Sequence, residues 1–203
     1  MQNNTNTKLI FLFQRITTHY REPVLEKLNA LLKNRLVFAY GQPPKESFFS
    51  QNSCNKSYRS VKLKNFWLKE EKAVWQNFWK PFKIYGHPEI VISEHSPRIL
   101  SLFPLMVYCK TKKIPFILWG HGGSRKRAVS KSKSVKDFIH RYIIKKCDAY
   151  ICYTDSIKNE LSIFTSKNKL FVAKNTLDTD TLFKIRISLQ KQSKSDLKKK
   201  LKL

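Results

Sequence analysis

Acidic side chains are scarce in this chain. Its 203 residues hold 14 Asp and Glu against 40 Lys and Arg, for a formal net charge of +26. Such a balance points to phosphate-bearing partners: nucleic acid, an anionic membrane surface or a phosphorylated ligand. Lys and Asn are abundant throughout, so part of the excess is a general trait. Glycine is also sparse, with 5 residues, which is low for a complete α/β enzyme. The 4 cysteines, Cys54, Cys109, Cys147 and Cys152, form no C-x-x-C pair, and no His lies at zinc-finger spacing. No metal site is expected from them, and they read as reduced thiols of a cytosolic protein. Long apolar runs are missing too. The nearest, Ile99 to Tyr108, contains Pro104 and falls well short of the ~20 residues that a membrane helix needs. The first residues, MQNNTNTK, are polar, and no basic segment followed by an apolar one suggests a secretory leader. Helix-turn-helix, zinc, RRM and KH signals are likewise missing, which makes nucleic acid an unfavoured partner despite the charge.

Aromatic residues are plentiful, with 14 Phe and 4 Trp, and argue for a packed core rather than disorder. Short apolar runs recur along the chain, Lys8 to Phe13, Leu36 to Tyr40, Glu89 to Ser93, Phe116 to Trp119, Ala149 to Tyr153 and Leu170 to Ala173, and Tyr58 to Leu63 alternates imperfectly through Tyr58, Val61 and Leu63. Each reads as a buried strand, with Tyr58 to Leu63 the weakest pattern. Helical spacing falls between them. Pro23 opens a helix with Val24, Leu28, Leu31 and Leu32 on one face. Trp75, Phe78, Trp79 and Phe82 form an aromatic stripe at i, i+3, i+4, i+7 and predict a second helix. A third starts at Pro97 and carries Ile99, Leu102, Phe103, Met106 and Val107. A fourth lies within the basic segment 125–146, where Val135, Phe138, Ile139, Tyr142 and Ile143 form the apolar face. Residues 156–164 give a fifth, and the segment from Ile187 onward reads as a basic, weakly amphipathic tail. This alternation predicts one α/β domain, doubly wound and Rossmann-like, with a mostly parallel sheet of about seven strands. No internal repeat is visible, and no low-complexity linker divides the chain before about residue 184.

The segment Pro115-Phe-Ile-Leu-Trp-Gly-His-Gly-Gly-Ser-Arg-Lys-Arg127 carries the most chemistry. A buried strand ends in glycines around an imidazole, followed at once by a cluster of cations. In an open parallel sheet, ligands bind beyond the carboxyl ends of the strands. Glycine there admits close backbone approach, and exposed N–H groups with cations suit an anion.

The order KLIFLF, RITTHYREP, PEIVISE, KIPFILWGHGG, DAYICYTDSIKNEL, KLFVAKNTLD resembles the N-terminal, acceptor-side domain of a family-4-type glycosyltransferase of the two-domain GT-B architecture. The resemblance covers roughly residues 8–183. It implies a retaining sugar transferase with a nucleotide-sugar as substrate, no further cofactor, and a glycan or lipid-linked acceptor at the inner face of the cell membrane. It also implies a division at residue 183, with 184–203 leading towards a donor-binding domain. The expectation is that this second half lies elsewhere, because the chain was cut or because the enzyme is split over two polypeptides. A catalytically incomplete basic binding module, for anionic membrane or nucleic acid, is the alternative.

The candidate residues follow from these readings. His121 is the leading one. The resemblance gives a His at this place a contact to the donor sugar or its phosphate, where it would stabilise developing negative charge. Gly122 and Gly123 would admit close backbone approach, and Arg125 would meet a phosphate. Arg15, Tyr20 and Arg21 lie in the loop after the first strand, where many members of the family carry a Gly-rich loop. Glu94 follows the strand Glu89 to Ser93 and suits sugar hydroxyls. Thr154, Asp155 and Ser156 read chiefly as a helix cap, with the cap placed on Asp155 or Ser156. Asn175 and Asp178 resemble the interdomain N-x-x-D element of the family.

Overall fold

The computed structural model describes residues 8–44, 57–68, 72–122, 135–174 and 179–190. Among the described residues nine strands form in chain order. β1 (Ile10–Gln14), β2 (Leu36–Tyr40), β3 (Arg59–Lys62), β6 (Ile90–His95), β7 (Phe116–Gly120), β8 (Ala149–Cys152) and β9 (Leu170–Val172) build the main sheet, while β4 (Asn65–Leu68) and β5 (Ala73–Gln76) form a separate hairpin. The sheet runs 3-2-1-6-7-8-9, and every neighbouring pair is parallel. The seven strands and their common direction agree with the sequence expectation. The order reverses between β1 and β6, so the crevice of a doubly wound sheet opens at their carboxyl ends.

Among the described residues six α-helices accompany the strands: α1 (Glu22–Leu31), α2 (Trp79–Tyr85), α3 (Leu102–Thr111), α4 (Val135–Lys146), α5 (Asp155–Leu161) and α6 (Thr179–Gln190). Alternation along the strands divides the core into two faces. Leu12, Leu36 and Phe38 pack with Leu25 of α1 on one side. Phe11, Phe13, Val37 and Phe116 pack with Phe82, Leu105, Ile143, Ile144 and Leu161 from the other helices on the opposite side. The side chains of Phe11, Leu12 and Phe13 are all but sealed from solvent. Burial on that scale contributes about 1.5–3 kcal/mol per large apolar side chain.

Four local expectations are corrected. The aromatic stripe is not one helix face. Trp75 lies in β5, opposite Phe66 of β4, and α2 begins only at Trp79. Cross-strand pairing of two four-residue strands decides this, and only Phe78 and Phe82 of the four turn inward. The third helix starts at Leu102, not at Pro97, because residues 98–100 pair with β5: the Val74 N–H donates to Arg98 O at 2.8 Å and the Leu100 N–H to Val74 O at 2.9 Å. In α1 the residue sealed against the sheet is Leu25, while Leu31 is 81% exposed. At α5 the cap is Thr154, whose Oγ1 accepts the Ile157 N–H at 3.2 Å, one residue earlier than expected.

Helix α4 shows a rotation with consequences for the site. Ile143, Ile144 and His140 face the sheet, whereas Phe138, Ile139 and Tyr142 remain exposed. The predicted apolar face is thus turned outward by about one residue position. A buried imidazole takes the place that Ile139 was expected to fill.

Candidate functional site

Four carboxyl-terminal strand ends, those of β1, β6, β7 and β8, deliver the candidate residues to one rim. Arg15 follows β1, and its backbone N–H donates to Glu94 Oε2 at 2.9 Å, with a guanidinium nitrogen 4.0 Å from Oε1. This contact bridges the point where the strand order reverses. A short 3-10 turn, His19–Arg21, then enters α1 and aims Arg21 across the rim. The Arg21 guanidinium donates to the Tyr153 hydroxyl at 3.1 Å, and its carbon lies 5.8 Å from the Tyr20 ring centre and 5.9 Å from that of Trp119. At these distances cation–π attraction holds the cation over both rings.

The electrostatics of this group agree with its geometry. Burial pulls the Arg21 guanidinium downward, but the Tyr153 and Tyr20 hydroxyls and the Glu94 carboxylate outweigh it and leave its pKa raised. Arg21 is therefore a permanent cation. Tyr153 is raised above the usual phenol range, chiefly by burial, and stays protonated. Tyr20 is more exposed. Burial raises it, yet hydrogen bonds from Thr18 and Arg21 and the Arg21 charge bring its pKa below the usual value.

His121 stands next along the rim, exposed, with its ring 4.4 Å from that of Tyr153. The glycines on either side of it have separate physical reasons. A Cβ on Gly120 would meet the backbone oxygen of His95 at 2.7 Å, so only glycine lets β7 end this close to β6. Gly122 has φ +77°, a conformation that side-chain-bearing residues rarely adopt, and a Cβ there would crowd Ile157 and Leu161. The Gly122 N–H donates to the Tyr150 hydroxyl at 2.9 Å. It holds the turn together and is not presented to a ligand.

The structure thus brings Arg15, Tyr20, Arg21, Glu94 and His121 together on one rim, with Gly122 beneath. Gly123, Arg125, Asn175 and Asp178 lie outside the described residues. Two members of the site were not singled out in the sequence. Tyr153 reads there as the last apolar residue of a strand, and Trp119 as another. Both sit at strand ends beside glycine or polar residues, which is the only sequence signal that marks them. Among the described residues, the buried Nε–H groups of Arg15 and Trp119 lack a hydrogen-bond partner. Buried donors of this kind expect an acceptor.

No group of three or more His, Cys, Asp or Glu among the described residues is arranged to hold a metal ion, and no described helix is long and apolar enough to cross a membrane. Cys109, Cys147 and Cys152 are buried free thiols, pushed up by burial to about 12, about 12 and about 11, and are inert as nucleophiles near neutral pH.

The strand order and the crevice at the reversal define a doubly wound, Rossmann-like α/β domain. A solved structure agrees on the fold. HepE from Anabaena, determined in complex with UDP-glucose, superimposes with a TM-score of 0.54 at 11% identity, covering 95% of this chain and 48% of that one. The UDP-GlcNAc 2-epimerase from Methanocaldococcus jannaschii gives a TM-score of 0.46 at 14% identity, over 81% of this chain and 45% of that one. The chain therefore spans about half the length of these structures. No protein-family profile matches it, and no curated protein matches it in sequence.

Proposed function

We propose that the chain is the acceptor-side half of a retaining glycosyltransferase that moves a sugar, a hexose by its resemblance, from a nucleotide-sugar to a hydroxyl of a glycan or lipid-linked acceptor. The observation that carries this reading is the rim itself. Arg21, fixed between Tyr20, Trp119 and Tyr153, lies beside His121 and beside the Arg15–Glu94 contact at the strand reversal. A fixed cation, an exposed imidazole and unpaired buried N–H donors suit an oxygen-rich anionic ligand. The likeness to HepE, whose structure holds UDP-glucose, supports the same class of ligand.

In the reaction, the bond between the anomeric carbon and the diphosphate oxygen breaks, and its electron pair leaves with the diphosphate. The acceptor oxygen bonds to the anomeric carbon on the same face. Its proton passes to the departing phosphate oxygen. His121 and Arg21 would meet the charge that builds on the leaving group, and Glu94 would accept from sugar hydroxyls. The donor's nucleotide would be gripped by a second α/β half, in the manner of two-domain enzymes.

The outer face of α4 supports a peripheral position on an anionic membrane surface at the cytoplasmic side. Phe138, Ile139 and Tyr142 are exposed there, Phe103 of α3 lies 6.3 Å from Tyr142, and the Lys146 ammonium lies 5.8 Å from the same ring. Aromatic rings beside cations on one helix face match the pattern of interfacial binding.

Titration of the histidine-labelled protein with UDP-glucose and other nucleotide-sugars tests the core of this reading. The expected result is a shift of the His121 ring signals, abolished in Arg21→Ala. In the complete enzyme, His121→Ala should lower turnover roughly 10²–10³-fold, as removal of one charge-stabilising donor does elsewhere. A His121 signal unmoved by every nucleotide-sugar, with unchanged turnover in His121→Ala, would reject it.

A further inference from the structure

Behind the rim lies a buried polar chain that the proposed chemistry does not use. The Gly122 N–H donates to the Tyr150 hydroxyl at 2.9 Å; that hydroxyl lies 2.8 Å from His95 Nδ1; and His95 Nε2 lies 3.1 Å from His140 Nδ1. Tyr150 is fully buried, and His95 and His140 are nearly so. The three side chains come from β8, β6 and α4, so the chain runs from an outer helix along one face of the sheet to the backbone beside His121.

The proton arrangement that satisfies every member is fixed by its end. Tyr150 accepts from Gly122, which directs its own proton to His95 Nδ1. His95 is then the Nε2–H tautomer and donates to His140 Nδ1. The charged form is excluded: burial first, and the neighbouring His140 second, press the His95 imidazole down to about 3. Burial likewise holds the Tyr150 hydroxyl well above its usual value, so it remains a donor. Both glycines that flank His121 rest on this assembly. Gly120 packs against the backbone oxygen and Cβ of His95, and Gly122 hangs from Tyr150.

We propose that His140, His95 and Tyr150 are positioning residues for His121: a buried relay that anchors the backbone on both sides of the imidazole and so sets where the ring stands on the rim. Its consequence for catalysis rests on the glycosyltransferase reading; the anchoring does not. A polar chain through a core costs stability unless every member is satisfied. Here the hydrogen bonds that join His140, His95, Tyr150 and Gly122 run in one line that ends at the turn carrying the exposed imidazole.

Histidine-labelled and amide-labelled protein tests the proposal. In the unmodified chain His95 should appear as the neutral Nε2–H tautomer and stay neutral at pH 5. Tyr150→Phe should accelerate hydrogen exchange of the Gly122 amide roughly 10–100-fold, the loss of one buried hydrogen bond, and move the His121 ring signals. If Tyr150→Phe does not fold, the α4 end gives the same answer. His140→Asn, which keeps an acceptor near the Nδ1 position, should leave the His121 signals in place, whereas His140→Leu should move them. His95 found as the Nδ1–H tautomer, or an unchanged His121 spectrum in both Tyr150→Phe and His140→Leu, would overturn the proposal. Adding UDP-glucose separates the two readings. A UDP-glucose response of His121 that is the same in wild type and Tyr150→Phe removes the relay and keeps the transferase. No response in either protein to any nucleotide-sugar, with unchanged turnover of His121→Ala in the complete enzyme and with the exchange and tautomer results as expected, keeps the relay and removes the transferase.

Discussion

Two histidine–tyrosine pairs lie on opposite sides of the same strand ends. On the outside, the His121 ring stands 4.4 Å from Tyr153, and the Tyr153 hydroxyl binds Arg21. On the inside, His95 binds Tyr150 and His140. Identical side-chain types have different chemistry because of one step along a strand. Glu94 and His95 are neighbours on β6, and alternation sends one to the rim and the other into the core. The outer pair keeps solvent access and a cation; the inner pair keeps only its own hydrogen bonds. Function is expected to depend on the first directly, and stability on the second.

The sharpest way to break the comparison is to truncate the two sides of α4. Ile144→Ala, on the sheet side, should cost about 2–5 kcal/mol of stability. Phe138→Ala, on the outer side, should stay within about 0.5 kcal/mol while weakening flotation with anionic vesicles. Urea denaturation and vesicle flotation check the two halves, and equal destabilisation by both changes would show that α4 is turned differently.

Acid comes next. His95 has a folded-state pKa depressed to about 3, whereas the unfolded chain takes up the proton near the ordinary histidine value of about 6.5. Between these values the unfolded state binds more protons. The stability contributed by keeping His95 neutral is therefore present above about pH 6.5 and is lost as pH falls towards 3. By pH 4 the loss should approach about 3 kcal/mol. Denaturation midpoints measured from pH 7 to pH 4 should show this slope in the wild type, and His95→Gln should lack it. The smallest effects separate the tyrosines. Tyr150→Phe should cost about 1–3 kcal/mol by orphaning buried groups, and Tyr153→Phe about 1 kcal/mol. His121→Ala should leave thermal stability almost unchanged, because its ring is exposed.

Much of this could be read from the residues. The central strands are legible because β1, β2, β6, β7 and β8 lie in apolar runs, whereas the edge strand β3 buries only Val61 and gives the weakest pattern. That Arg15, Tyr20, Arg21, Glu94 and His121 share one rim is legible because each lies at or beyond the carboxyl end of a strand, where a parallel sheet opens its crevice. The β4–β5 hairpin was hidden because its strands are four residues long, and the spacing of Trp75, Phe78, Trp79 and Phe82 imitates a helix. The inner relay was hidden for a different reason. His95 and His140 lie 45 positions apart, and nothing local marks a polar residue that will find its partner across the core. Tyr153 was masked by its own hydrophobicity.

The sheet order also sets a timetable. β1 precedes every other described strand in the chain, yet it occupies the middle of the sheet, and Ile10 must wait for Ile90 to complete its second flank. At ~5–20 residues per second, the eighty intervening positions take about 4–16 s to synthesise. Throughout that interval Phe11, Leu12 and Phe13 have at most one neighbouring strand. A nascent chain of this layout should be at its most aggregation-prone before β6 emerges, and ribosome-stalled lengths on either side of that point should differ most in their capture by holding chaperones.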